Sequence, residues 1–157
     1  MNDFFLNRKT SKGFSLIEVL VVIGLLLILF GIALPAFRNY QPNLHLSGSA
    51  RNLASDLRSV QESAVAEQIV YGIVFYPSEK KYEIKKFGQT PSLVRTVSLP
   101  SQIQSMTITQ DIINNGNTIK YNPYGSVDVS GDVTLHISSG KTATVSIKAS
   151  GFVVITN

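Results

Sequence analysis

The chain has 157 residues, a mean hydropathy of +0.17, 14 Lys and Arg against 10 Asp and Glu, two histidines and no cysteine. Without cysteine there is no disulfide framework, no thiol nucleophile and no thiolate metal site. The net charge is +4, of which Arg8, Lys9 and Lys12 against Asp3 and Glu18 account for +1; the +3 left on the remainder is too mild to demand a nucleic-acid partner.

The first element is an apolar run. Phe14 to Leu34 is 21 residues with Glu18 as its one charge. At about 1.5 Å per residue it spans the roughly 30 Å hydrocarbon core of a bilayer. Arg8, Lys9 and Lys12 precede it, which by the positive-inside tendency places the leader in the cytoplasm and the rest across the membrane. An ionised side chain inside a membrane helix is costly, so Glu18 reads as a functional group that needs a partner. An ordinary secretory signal carries its small-residue cleavage site after the apolar core. Here the core is followed by Ile32-Ala33-Leu34-Pro35-Ala36, and the small residue, Gly13, stands before it.

With that order of features, Lys12-Gly13-Phe14-Ser15-Leu16-Ile17-Glu18-Val19-Leu20 resembles the start of the type IV pilin superfamily, the prepilins of pili, type II secretion and competence systems. The resemblance implies cleavage after Gly13 by a membrane aspartyl peptidase and methylation of the new amine on Phe14. That amine lies one helical turn from Glu18, and a neighbouring subunit's amine could neutralise the carboxylate, which would set the axial register in a helix-packed filament. Residues 1–13 are then a leader and 14–35 a membrane helix. The other reading of these residues is an uncleaved signal anchor with Glu18 near the interface. Gly24 and Gly31 permit close helix approach. Pro35 has no N–H for the Gly31 carbonyl and is a kink candidate. The resemblance implies that the stretch before it loosens on assembly.

From Asn43 onward Leu46, Ala50, Leu53, Leu57, Val60 and Ala64 recur in steps of three and four, a helical stripe. Arg51, Asp56, Arg58 and Glu62 fall off it. Residues 36–68 therefore read as an amphipathic continuation of the helix, with a bend expected around residues 40–48.

After Gln68 the period becomes two, and residues 69–157 read as an antiparallel β domain. Strands are expected at 69–76, 81–87, 93–99, 103–109, 118–122, 126–129, 133–138, 142–149 and 152–155, separated by turns rich in Gly, Asn, Ser and Pro. The fold class is α+β: a long helix packed against hairpins in two small sheets, with 36–157 as one globular unit. Ala50-Arg51-Asn52-Leu53, Asp56-Leu57-Arg58 and the closing Ser150-Gly151 turn resemble the GspH/FimT branch of minor pilins and pseudopilins.

No constellation for catalysis is present. His45 sits beside the stripe, and His136 alternates against Val133, Leu135 and Ile137, so both read as surface residues. No enzyme activity, metal or cofactor is expected; the resemblance implies that the chain is itself a peptidase substrate. One segment could bind a partner: Glu79-Lys80-Lys81-Tyr82-Glu83-Ile84-Lys85-Lys86-Phe87 sets Lys80, Lys81, Lys85 and Lys86 around a strand. They read as a solvated strand edge protected by lysines, or as a DNA contact.

The function expected is a structural subunit, a minor pilin or pseudopilin of a type IV pilus or type II secretion filament. It is held in the inner membrane by one pass with its C-terminal domain outside the cytoplasm. Its partners are other pilins through their N-terminal helices, the prepilin peptidase and the membrane. The alternatives are a DNA-uptake pilin whose β domain binds nucleic acid, and a membrane-anchored β-domain protein with no filament.

Overall fold

The computed structural model describes residues 13–156, without the side chains of 34–40. The leader positions Arg8, Lys9 and Lys12 lie outside the described residues. The chain divides into two compact units, one ending at Arg38 and the other beginning at Asn39.

Helix α1, Leu16–Glu67, runs through both units, with Pro35 and Pro42 inside its bounds. Its first turn is closed by the Ser15 carbonyl, which accepts from the Glu18 and Val19 amides at 3.0 and 3.2 Å. From Leu16 to Ala33 its residues are Leu, Ile, Val, Phe, Gly and Ala, with Glu18 as the one charge. In the second unit the stripe emerges as expected: Leu46, Ala50, Leu53, Leu57, Val60 and Ala64 are all buried, together with Ala54. The small residues on this face let strands approach the helix axis closely. The helix stops at Gln68, which takes a left-handed conformation at φ 55° and turns its side-chain amide back to the Val65 carbonyl at 2.7 Å. That bond satisfies one of the carbonyls a helix end leaves open.

The remaining elements are β1 (Val70–Tyr76), a turn of 3-10 helix (Pro77–Glu79), β2 (Lys81–Phe87), β3 (Pro91–Ser98) and β4 (Ile103–Ile108). They continue with α2 (Gln110–Asn114), β5 (Thr118–Tyr121), β6 (Gly131–Ile137), β7 (Thr142–Ile147) and β8 (Val153–Thr156). They form two antiparallel four-stranded sheets, ordered β3-β2-β1-β5 and β4-β6-β7-β8. In each, period-two alternation turns the apolar set inward: Tyr71, Ile73, Phe75, Tyr82, Ile84, Ile119 and Tyr121 from the first sheet, and Val133, Leu135, Ile137, Ala143, Val145, Ile147 and Val153 from the second. With the helix stripe they make one continuous core. Full burial of each large aliphatic side chain contributes about 1.5–3 kcal/mol.

Three expectations are corrected. Residues 126–129 are not a strand but a connector with a single bridge, Tyr121 to Val127, while Val127 N–H reaches the Ala149 carbonyl. One residue bridges to Tyr121 of the first sheet and bonds to the turn that follows β7, so no ladder extends from it. The turn expected between the strands at 103–109 and 118–122 opens with a short helix, Gln110–Asn114. Finally, β2 is interior, flanked by β1 and β3, so its lysines do not guard an edge. The edge is β3, whose exposure on both faces leaves Leu93 and Val94 more than half accessible.

Candidate functional site

Two places carry the functional expectations. The first is the start of α1. Gly13 and Phe14 precede the helix and are exposed, Phe14 at 81%. Glu18 lies in the first helical turn, where the unpaired N–H groups favour a negative charge. From Leu16 to Ala33 the mean hydropathy is 3.0 and none of the stretch is buried. Such a helix is long and apolar enough to cross a membrane, and a helix apolar on all sides has to be covered by lipid or by other helices. Pro35 lies within α1, beyond that stretch.

The second place is the lysine segment. Tyr82 and Ile84 point into the core and Lys81 and Lys85 out of it, as the alternation required. The lysines are engaged, though. Lys81 Nζ meets Glu79 at 2.7 Å, Lys85 Nζ meets Glu83 at 2.9 Å, and Lys86 Nζ crosses to Glu67 of α1 at 2.6 Å. Lys80 Nζ donates to the Ile103 carbonyl at 3.3 Å. Lys85 holds the Glu83 carboxyl, and Lys86 the Glu67 carboxyl, below the ordinary range, with further help from the hydroxyls of Tyr76 and Tyr71. Lys81 and Lys85 also lie 5.0 and 6.0 Å from the centre of the Tyr76 ring. With three of its four lysines matched by carboxylates and Lys80 held by a carbonyl, this surface has little positive potential left for a polyanion.

His45 is exposed and His136 half-buried, its Nε2 3.0 Å from the Thr107 hydroxyl. Among the described residues no three metal-capable side chains gather.

The sequence places Asp56 and Arg58 off the stripe without assigning them a contact, and does not single out Gln61. Asp56 accepts from the Tyr82 hydroxyl at 2.7 Å and pairs with Arg95, which ties the helix to the first sheet. Arg58, two residues on, donates to the Val153 carbonyl of the second sheet at 3.2 Å. Gln61 donates to the Gly125 carbonyl at 2.7 Å, fixing the loop after β5. Their signal in the sequence is a polar residue directly flanking the stripe, where a side chain can reach around the helix to a strand.

Residues 8–34 match the family described as the prokaryotic N-terminal methylation motif. A fimbrial protein of Pseudomonas aeruginosa is 33% identical over 105 residues, 66% of this chain and 64% of its own length. A second is 33% identical over 98 residues, 61% of this chain and 60% of its own. The chain thus spans just under two thirds of these relatives. Among solved structures, the minor pseudopilin EpsH from the type 2 secretion system of Vibrio cholerae is similar with a TM-score of 0.60 at 9% identity, over 71% of this chain and 96% of that one. The type IV minor pilin FimU of Pseudomonas aeruginosa gives 0.60 at 12% identity, over 75% and 92%. The chain shares their fold.

Proposed function

We propose that this chain is a minor pilin- or pseudopilin-type subunit of a type IV pilus or type II secretion filament, a structural protein that acts by assembly. The observation that carries the reading is the all-round apolar helix from Leu16 to Ala33 with Glu18 in its first turn, inside the segment that matches the methylation motif. The fold shared with EpsH and FimU over 71% and 75% of the chain supports it.

In this reading residues 1–13 are the leader, cut after Gly13 by a prepilin peptidase, and Phe14 carries the methylated amine. Residues 14–35 lie in the inner membrane, the amphipathic part 36–68 carries the β domain 69–157 outside the cytoplasm, and Pro35 is where the helix loosens on assembly. Glu18 takes the amine of a neighbouring subunit as its counter-charge, because two charges in hydrocarbon are tolerable only when paired. The pairing of Lys80, Lys81, Lys85 and Lys86 within the domain favours this assembly role over a DNA contact.

The test is the mass of the mature N-terminal peptide from cells with the filament machinery. A peptide beginning at methylated Phe14 is expected. One still beginning at Met1 would remove the reading.

A further inference from the structure

Four strand edges are open in principle, and three are blunted. β3 begins at Pro91 and is bulged opposite Ile84 and Lys85. β5 is covered by the connector, Asp128 bonding both the amide and the carbonyl of Lys120. β8 has its Val153 carbonyl taken by Arg58. Proline, bulges and covering groups are the usual means by which edges avoid pairing with foreign chains.

The exception is the second half of β4. Its one strand neighbour is β6, with Thr107 opposite Thr134, and Thr109 N–H reaches the Asp132 carbonyl at 3.0 Å. Antiparallel alternation therefore turns the peptide groups of Ser105 and Thr107 toward β6 and those of Met106 and Ile108 outward. At the other end of the strand, Lys80 closes the edge at Ile103. Beside Met106 to Ile108 lies a notch of about 390 Å³ with apolar lining from Pro77, Met106, Ile108 and Ile113 and polar lining that includes Ser78 and Asn117. No charged residue lines it, and Ile113 is 44% exposed.

We propose that this notch receives an extended segment of a neighbouring pilin-type subunit, which adds a short strand to β4 and seats one uncharged aliphatic or aromatic side chain. The outward peptide groups specify a strand, since a helix or a lipid tail cannot supply donors and acceptors along an edge, and the neutral lining specifies the side chain. Lys80 at one end limits the added strand to two or three residues. The inference rests on the assembly reading, because it takes the partner from the same filament.

The test is photocrosslinking of the full chain in cells that build the filament, with benzoylphenylalanine at Thr107 or, as an independent report of filament entry, at Leu27 on the apolar helix. The Thr107 probe is expected to capture one extended segment of another subunit. Ile113→Glu should lower that yield at least tenfold. Ile108→Pro, which deletes an outward N–H, should do the same relative to Ile108→Ala. The Leu27 yield and the unfolding temperature should stay near their starting values in Ile113→Glu. Crosslinks from Leu27 with none from Thr107, or Thr107 crosslinks to lipid or to a helix, or an unchanged yield in Ile113→Glu, would each overturn the strand-addition site and leave the assembly reading in place. Silence from both probes would overturn both.

Discussion

The hydroxyl of Tyr82 and the carboxylate of Asp56 meet at 2.7 Å where α1 crosses β2, and Arg95 of β3 holds the same carboxylate from the solvent side. Tyr82 is 1% exposed, and burial first, then the bond to Asp56, pushes its ionisation upward. Tyr82→Phe keeps the ring beside Phe75 and leaves Asp56 paired with Arg95, so it should cost about 1.5–3 kcal/mol, the worth of a hydrogen bond to a charged group. Asp56→Ala should cost at least as much, because it strands a buried hydroxyl. The two losses should overlap rather than add. Denaturant unfolding of the full chain in detergent gives the cycle, and strict additivity would dissolve the network.

Gly151 separates conformation from contact. It sits at φ +84°, and a Cβ there would lie 2.1 Å from the Gly125 carbonyl oxygen and 2.4 Å from Gln61 Nε2. Gly140, at φ +80°, has open space around it. Gly140→Ala should therefore cost only the left-handed penalty, about 1–2 kcal/mol. Gly151→Ala should exceed it clearly, because the loop bond from Gln61 breaks too. Equal losses, measured by the same unfolding titration, would show that the two turns do not press on each other.

The helix stripe was legible because each of its residues makes its burial through the local 3.6 period, which needs no knowledge of the partner. The alternation of Tyr82 and Ile84 against Lys81 and Lys85 was legible for the same reason, at period two. Strand order was not. Whether β2 lies at an edge depends on β1 and β3 closing on it, and period two is identical at the edge and in the middle. The connector 126–129 has strand-like composition, yet it divides its bonds between the first sheet and the turn after β7, a long-range fact with no local sign. At the N-terminus the reverse holds. Gly13, Phe14 and Glu18 draw their expected roles from a contiguous motif and its resemblance to prepilins, whereas the notch beside β4 brings Pro77 to Ile108 and Ile113, about thirty residues further along the chain.

The ion pairs of β2 predict a pH profile. Glu83 is held below its ordinary value chiefly by Lys85, and Glu67 by Lys86, so in each case the unfolded chain takes up protons first as the pH falls. Stability from these carboxylates is complete above about pH 4.3 and is lost as the pH drops through the lower folded values. Lys81, Lys85 and Lys86 are raised by the same contacts, so their contribution is present below about pH 10.4 and fades as the pH climbs through the folded values. Glu83→Gln should flatten the acid side of a plot of unfolding temperature against pH between about 5 and 3. An unchanged slope would mean that the pair does not persist in solution.

Glu18 gives the prediction that separates folding from assembly. It lies in the first turn of α1 and outside the second unit, which begins at Asn39. Glu18→Val removes the only charge from a stretch whose hydropathy already suffices for insertion, so membrane insertion should be kept or improved. The domain's unfolding temperature should not move, because no core residue lies near Glu18 in the chain. Incorporation into filaments should fall by at least tenfold, since the neighbour's amine would then enter hydrocarbon without a counter-charge. Glu18→Asp keeps the charge on a shorter arm and should retain part of the incorporation. Sheared-filament fractions compared with membrane fractions read the outcome directly. If Glu18→Val assembles like the parent chain, the carboxylate is a membrane-interface group and the register between subunits is set by helix packing alone.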